Sequence, residues 1–487
     1  MYFNKKTLQD RIYACWLGKN LGGTLGGPYE AKREINDIKG FATEPGAPLP
    51  NDDLDLQLIW LRALMEQGPD RLNANILGQY WINFIVPYWN EYGIGKTNME
   101  AGLLPPLSGQ AYNEEWRNSN GAWIRTEIWA CLCPGRPEEA IRFAYEDACV
   151  DHGISEGTYA AIFVAAMQSA AFVIQDIHTL IEIGLSKIPA DCRMARSIRL
   201  VVEEHQKGTD WKTVRNMLVE QSADIGWFQA PANVGFVVLG LLYGEGDFKK
   251  SLILAVNCGD DTDCTAGTVG ALLGIMGGTA AVPEDWRAYI GDAIITMSVN
   301  WTAGHVAHSC TELTELVMEM IPVVAHPKTL EEFLATGSRI HWGDEADDFA
   351  DVSPETFMGD AFVQSLASRS PYSFEVDGAF YKALVEFNGN PQLDENGSIK
   401  LRVTVSTKSY NHKQGHYELH WHLPEGWQVS GRRNVVAPWI ESTFVQDATA
   451  EVVVTAGEKV EPTNRLVLEI RRSGYADPLL VPITILA

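Results

Sequence analysis

Carboxylates gather at three places in the first 270 residues, each beside glycine or proline. LGGTLGGPYE (21–30) sets Glu30 behind four glycines and Pro28. PLPNDDLDLQ (48–57) carries Asp52, Asp53 and Asp55 after Asn51, and NCGDDTDCTAGTVGALLG (257–274) places Asp260, Asp261 and Asp263 before a run of small apolar residues. The glycine-rich stretch either ends a helix in a turn or lets backbone N–H groups at Gly26 and Gly27 approach a ligand while Glu30 points into the gap. In the second stretch Asn51 is a good N-cap and the first-turn acids suit the helix macrodipole. Three acids in four residues exceed what capping needs, and a bound cation would relieve their repulsion. In the third stretch Asp261 and Asp263 enter a segment suited to a buried helix, where ionised carboxylates are costly unless paired or bound to metal. They can share a ligand at a helix start or turn, and Asp260 is expected to face solvent as a bystander.

A fourth polar cluster lies between these, in NSNGAWIRTE (118–127) and EDACVDHGISEG (146–157). Asn118, Asn120 and Gly121 are candidates for orienting a polar ligand, and Arg125 reads as a charge or structural anchor. Asp151 and His152 stand with the candidate substrate contacts. A buried histidine with a satisfied hydrogen bond is nevertheless a commoner situation than a catalytic one. Two Asp clusters and one Glu, with no accompanying His/Cys pattern, describe a hard oxygen-donor site that suits Mg²⁺ first, and Mn²⁺ or Ca²⁺ after it.

The elements that must position these residues are helical. DLQLIWLRALMEQ (55–67), EEAIRFAYEDACV (138–150), GTYAAIFVAAMQSAAFVIQ (157–175) and ARSIRLVVEEHQ (195–206) repeat apolar residues at three- and four-residue steps, and their Ala and Gly content allows close helix packing. No strand-like alternation precedes residue 360. From Tyr381 the texture changes to short alternating segments broken by Gly, Pro and Asn, such as SIKLRVTVST and NRLVLEIRRSG, as in an antiparallel β-sandwich. The organisation expected is an all-α domain over 1–343, an acidic linker over 344–360 and an immunoglobulin-like β-sandwich over 361–487. His412, His416, His420 and His422 in the sandwich read as a solvated strand face. Trp421, Trp427 and Trp439 fit a sugar platform or, more commonly, core packing.

At 487 residues the chain exceeds what a single core usually serves, and its net charge of −25 argues against nucleic acid and against anionic membrane surfaces. The eight cysteines form no CxxC pair, which points to reduced thiols rather than a disulfide framework or structural zinc. The opening MYFNKKTLQDRIYACWLG is too polar for a signal peptide and no segment approaches a membrane span, so a cytoplasmic protein is expected.

In order, GGTLGGPYE (22–30), NDD (51–53), NGAWIR (120–125) and GDDTDC (259–264) resemble the motifs of the ADP-ribosylglycohydrolase family: a glycine-rich G-D-A-L-G-x-P-x-E, a T-D-D, an N-G-x-x-x-R and a G-G-D-T-D-T. The resemblance spans residues 8–330 and leaves the sandwich outside. It implies an all-α fold with two Mg²⁺ ions gripping the ribose of a scissile glycosidic bond. Carried over, Asp52, Asp53, Asp261 and Asp263 look like metal ligands, with Asn51 and Cys264 at the positions of the family's threonines. Glu30 resembles the catalytic glutamate, and Asp53 joins it at the reacting centre. Three departures stand out: Gly23 for Asp, Asn51 for Thr, and Cys264 for Thr, a thiol being a poor partner for hard Mg²⁺.

Three functions follow from this reading. The first is a metal-dependent glycohydrolase for an ADP-ribosylated protein or a small ADP-ribose derivative. The second keeps the machinery but takes a neutral furanosyl, nucleoside or other carbohydrate substrate, since no basic cluster awaits a pyrophosphate. The third is a non-catalytic binding protein that retains the fold. No nucleic acid or membrane partner is expected, and a homo-oligomer stays open.

Overall fold

Three glycines one helical turn apart decide how the N-terminal domain is assembled. In a computed structural model the described residues are 1–326, 341–350, 352–394, 396–408, 415–437, 439–440, 444–445 and 447–487. The opening helix, Lys5–Gly26, begins where the Asn4 side chain accepts from the Lys6 and Thr7 amides. Its Gly18, Gly22 and Gly26 lie on one face, against the helix Thr262–Gly277. A Cβ at Gly18 would sit 2.1 Å from the Gly270 carbonyl oxygen, one at Gly22 2.2 Å from the Ala266 backbone, and one at Gly26 2.3 Å from the Thr262 oxygen. The two backbones therefore touch, and residues some 240 positions apart in the chain become neighbours at one end of the pair. Gly22→Val is expected to cost about 1–3 kcal/mol or more through overpacking, read as a lower urea midpoint. Gly40→Ala, with nothing within 4 Å of the added methyl, should leave the midpoint in place.

Around this pair stand the helices foreseen from apolar spacing, now bounded as Asp52–Gln67, Pro137–Ala148, Glu156–Ala170 and Arg193–Gln206. A continuous core fills the space between them, with Trp16, Trp60, Trp81, Trp123 and Trp129 fully buried. Among the described residues, which include all eight cysteines, no disulfide forms and every thiol is buried.

The C-terminal part is built mainly of two antiparallel sheets, beside a small two-stranded one formed by Trp439–Ile440 and Phe444–Val445. One has five strands in the spatial order 373–377, 381–387, 398–407, 448–455, 428–431, and the other four in the order 479–486, 463–472, 415–422, 434–437. Strict alternation, as in Tyr381–Phe387, turns every second side chain into a shared core with Val403, Val454, Leu468 and Val481. Leu103, Leu107 and Ala111, from the helical part, enter this same core. Thr484 also donates to the Gly102 carbonyl at 3.0 Å, and Asn75 to the Glu375 carbonyl at 2.9 Å. The two parts are therefore welded through residues 102–111 as well as through the chain.

The structure differs from the sequence reading in several places. A short strand, Tyr2–Asn4, pairs in parallel with His341–Gly343, although no alternation announced it, because three residues are too few to show a period. The acidic segment after it holds the N-terminus: Asn4 donates through its backbone to Asp347 at 2.7 Å and through its amide to the Asp344 and Glu345 carbonyls. Asp260 is buried rather than solvent-facing; its φ is +71°, its backbone bridges to Lys32, and its carboxylate accepts from the Phe228 amide at 2.9 Å. In the sandwich, Trp427 is buried with its indole N–H on the Lys459 carbonyl at 3.1 Å, and Trp421 is half-buried against the core. His416 is exposed on the same strand, while His420 pairs with Glu418 at 3.0 Å and His422 with Glu469 at 2.7 Å. His412 and the side chain of Trp439 lie outside the described residues.

Candidate active site

The close helix pair ends at a cavity of about 610 Å³ whose walls include Glu30, Asn51, Asp52, Asn120, Asp261 and Asp263. Glu30 closes the short turn that follows the opening helix. Asn51 caps the helix Asp52–Gln67, accepting from the Asp53 amide at 2.8 Å, so the capping reading of that residue holds. Its amide group also fills the space beside Gly23, where a Cβ would lie 2.2 Å from Asn51 Nδ2. The two departures from the family motif thus touch each other, the absent side chain at 23 making room for the longer amide at 51. Asp261 is the residue before the helix Thr262–Gly277, and Asp263 lies in its first turn, the helix-start geometry that two acids two residues apart require.

Glu30, Asp261 and Asp263 each bring a carboxylate oxygen to within 4.8 Å of the others. Asn120 fixes Asp261, donating to Oδ2 at 2.6 Å, and is itself fixed by the Trp123 indole at 3.0 Å. Tyr92 donates to Asp52 Oδ2 at 2.9 Å. Oδ1 of Asp261 and Oδ1 of Asp263 are buried without a hydrogen-bond partner. Burial and the neighbouring carboxylates push Glu30 up to about 7, Asp52 to about 6 and Asp263 to about 7, and they raise Asp261 well above the usual range. Convergent, hard, orphaned oxygens fit a divalent cation of the Mg²⁺ or Mn²⁺ type.

A second group, Asp53, Asp263 and Cys264, also converges within 4.8 Å and shares Asp263 with the first. Its donors fit a cation less well. Asp53 Oδ2 lies 2.8 Å from the buried ammonium of Lys19, and its Oδ1 accepts from the Cys264 thiol at 3.3 Å. Burial raises the thiol well above its usual range and keeps it neutral. Asp55, the third acid of its motif, serves structure: its Oδ2 accepts from the Met297 and Ser298 amides at 2.7 and 2.6 Å.

The remaining candidates divide. Gly27 and Gly121 line the cavity, whereas Gly26 faces the Thr262 backbone. Asn118 is turned away, its side chain accepting from the Glu156 amide at 3.3 Å. Asp151 and His152 sit behind the wall: His152 Nδ1 lies 2.9 Å from Asp151, and Nε2 lies 3.2 Å from the hydroxyl of Ser119, which does line the cavity. Asp151 is held at about 2 by Arg125 and His152 against the effect of its own burial. Lys19, Glu91, Tyr92 and Ser119 were not read from the sequence. Lys19 left one signal, a lone charge inside the apolar, glycine-rich CWLGKNLGG. Glu91 left none. It is buried with Oε2 unpartnered, while its Oε1 accepts from the Gly121 amide at 3.2 Å.

Among the described residues no single helix is long and apolar enough to cross a membrane. No curated protein matches the chain. A solved structure described as an ADP-ribosylglycohydrolase-related protein complex is similar at 19% identity and a TM-score of 0.46, over 65% of this chain and 99% of that one. Residues 4–319 match the family ADP-ribosylglycohydrolase. That match takes in the glycine-rich turn, both Asp clusters and every helix that carries them, so the chain belongs to the ADP-ribosylglycohydrolase family, which points to a hydrolase acting on glycosidic bonds.

Proposed function

We propose that the protein is a metal-dependent glycohydrolase that cleaves a ribosyl-type glycosidic bond of an ADP-ribosylated protein or a small ADP-ribose derivative. The observation that carries this reading is the meeting of Glu30 with Asp261 and Asp263, two of whose oxygens are buried and unpartnered. A divalent cation held there supplies Lewis-acid polarisation of sugar oxygens. The protein's own groups do the rest. Glu30, with its carboxyl near neutrality, is suited to give a proton to a leaving group or take one from water. Tyr92 and Asn120 hold Asp52 and Asp261 in place, and Trp89, Ile124 and Phe228 form apolar walls. The β-sandwich, residues 361–487, is in this reading an accessory domain outside the chemistry.

A second reading, a neutral furanosyl or nucleoside substrate on the same machinery, has its own support: among the described residues lining the cavity there is no Lys or Arg to meet a pyrophosphate. The test is a panel of ADP-ribosyl-arginine, ADP-ribosyl-serine and aryl furanosides, offered to metal-stripped protein with and without Mg²⁺ or Mn²⁺. Cation-dependent release of ADP-ribose is the expected result. Preference for a furanoside without phosphate would replace the first reading with the second. Indifference of every substrate to protein and metal alike would leave a binding protein.

A further inference from the structure

Lys19 stands in the middle of the opening helix, fully buried. Its ammonium has three protons, and three oxygens surround it: Asp53 Oδ2 at 2.8 Å, Glu127 Oε1 at 3.3 Å and Thr268 Oγ1 at 3.4 Å. Glu127 is held in turn by the side-chain amides of Gln57 and Gln168, each at 2.9 Å. A charge this deep is stable only when its partners are equally fixed, and here all of them are buried. The ammonium thus lies against the second convergent group, Asp53–Asp263–Cys264, and has already taken the carboxylate of Asp53. The other Asp53 oxygen accepts the Cys264 thiol, and neutral sulfur is a soft donor that hard cations do not favour. A dication placed there would meet a built-in positive charge 2.8 Å from Asp53 Oδ2, and a second Asp53 oxygen already facing the Cys264 thiol.

We propose that the Lys19 ammonium replaces one of the two cations of the centre, so that the protein binds a single divalent ion, on the Glu30–Asp261–Asp263 side. Asp53 is then an ion-pair partner rather than a metal ligand, and Cys264 completes that pair. The inference rests on the reading of this site as a metal centre. It is tested on the full chain, stripped of metal and titrated with Mn²⁺ by calorimetry, with bound Mn²⁺ counted by elemental analysis after desalting. One Mn²⁺ per chain with an uncoupled electron paramagnetic resonance spectrum is the expected result. Two per chain with an exchange-coupled spectrum would overturn the inference and leave the metal reading standing, whereas none would overturn both. Lys19→Ala, shown to be folded by circular dichroism, should take up a second Mn²⁺, and Lys19→Arg should still bind one. A folded Lys19→Ala that binds only one would remove Lys19 from the explanation. If that variant does not fold, the native stoichiometry still decides.

Discussion

Asp261→Asn is expected to abolish turnover and to remove the rise in melting temperature that Mg²⁺ gives the native protein. The amide keeps the shape of the side chain and takes away its charge. In the native site one Asp261 oxygen is fixed by Asn120 and the other is buried without a partner, a costly arrangement until a cation meets it. A ligand that binds only the folded state stabilises it by about 2.7 kcal/mol at a hundredfold excess over Kd, which a thermal melt resolves readily. A native protein whose melting temperature ignores both Mg²⁺ and Mn²⁺ would sink the metal reading.

The same cluster sets an unusual pH dependence when metal is removed. Carboxyls in the unfolded chain titrate near about 4, whereas in the folded protein Asp52 is pushed to about 6 and Asp263 to about 7, chiefly by burial. Between those values the folded state keeps protons that the unfolded state has lost, so stability falls as pH rises from about 4 to about 7. A salt-bridged carboxylate would give the opposite slope. Glu30, raised as well, stands at the exposed rim, where solvent screens it, and adds less. The combined fall should exceed about 1.4 kcal/mol, the worth of one pKa unit on one group. Chelated Asp261→Asn, with one buried charge fewer, should be more stable than the chelated native protein at pH 8. Denaturant melts in EDTA at pH 5 and pH 8 measure both effects.

Arg125→Met should cost about 3–5 kcal/mol, because removing one partner of a buried ion pair leaves uncompensated charge behind. Its guanidinium reaches Asp147 at 2.9 Å and Asp151 at 2.8 Å, with all three side chains buried, and it lies 4.8 Å from the ring centre of Trp81. Two carboxylates would be stranded at once. Arg125 also donates to the Gly121 carbonyl, so the loop that carries Ser119 and Asn120 to the cavity loses its anchor. A urea midpoint that moves with little change in slope is the expected signature, and a loss below about 1 kcal/mol would show that the Asp147–Asp151 pair is neutralised by other means.

The acidic motifs were legible because each announces a local geometry: Asn51 before two acids reads as a cap, and Asp261–Asp263 beside Gly259 reads as a helix start. What joins them was not legible, since the Gly18–Gly22–Gly26 face gains its meaning only from Gly270 and Ala266 across the interface. Asp260 departs from its expected exposure for a related reason. Its partners, Phe228 and Lys32, lie 32 residues or more away, and nothing local distinguishes it from an exposed acid. Lys19 shows the same limit in reverse: its burial depends on Asp53 and on Glu127, 108 residues distant. Long elements such as the helix Asp52–Gln67 and the strand Tyr381–Phe387, by contrast, follow from periodicities that a short window contains.

The touching backbones of the first helix and the helix Thr262–Gly277 also order events during synthesis. Residues 5–26 leave the ribosome long before their partner exists, and at about 5–20 residues per second the wait is roughly 10–50 s. During that interval the glycine-notched face of the helix lacks the backbone it packs against, although Asp53 and Glu127, the partners of Lys19, emerge earlier. The carboxylates of Asp261 and Asp263 thus reach Glu30 only after that wait. The meeting of Glu30 with Asp261 and Asp263 is complete only once residue 263 has emerged, with the helix Cys310–Ala325 of the same domain still to come.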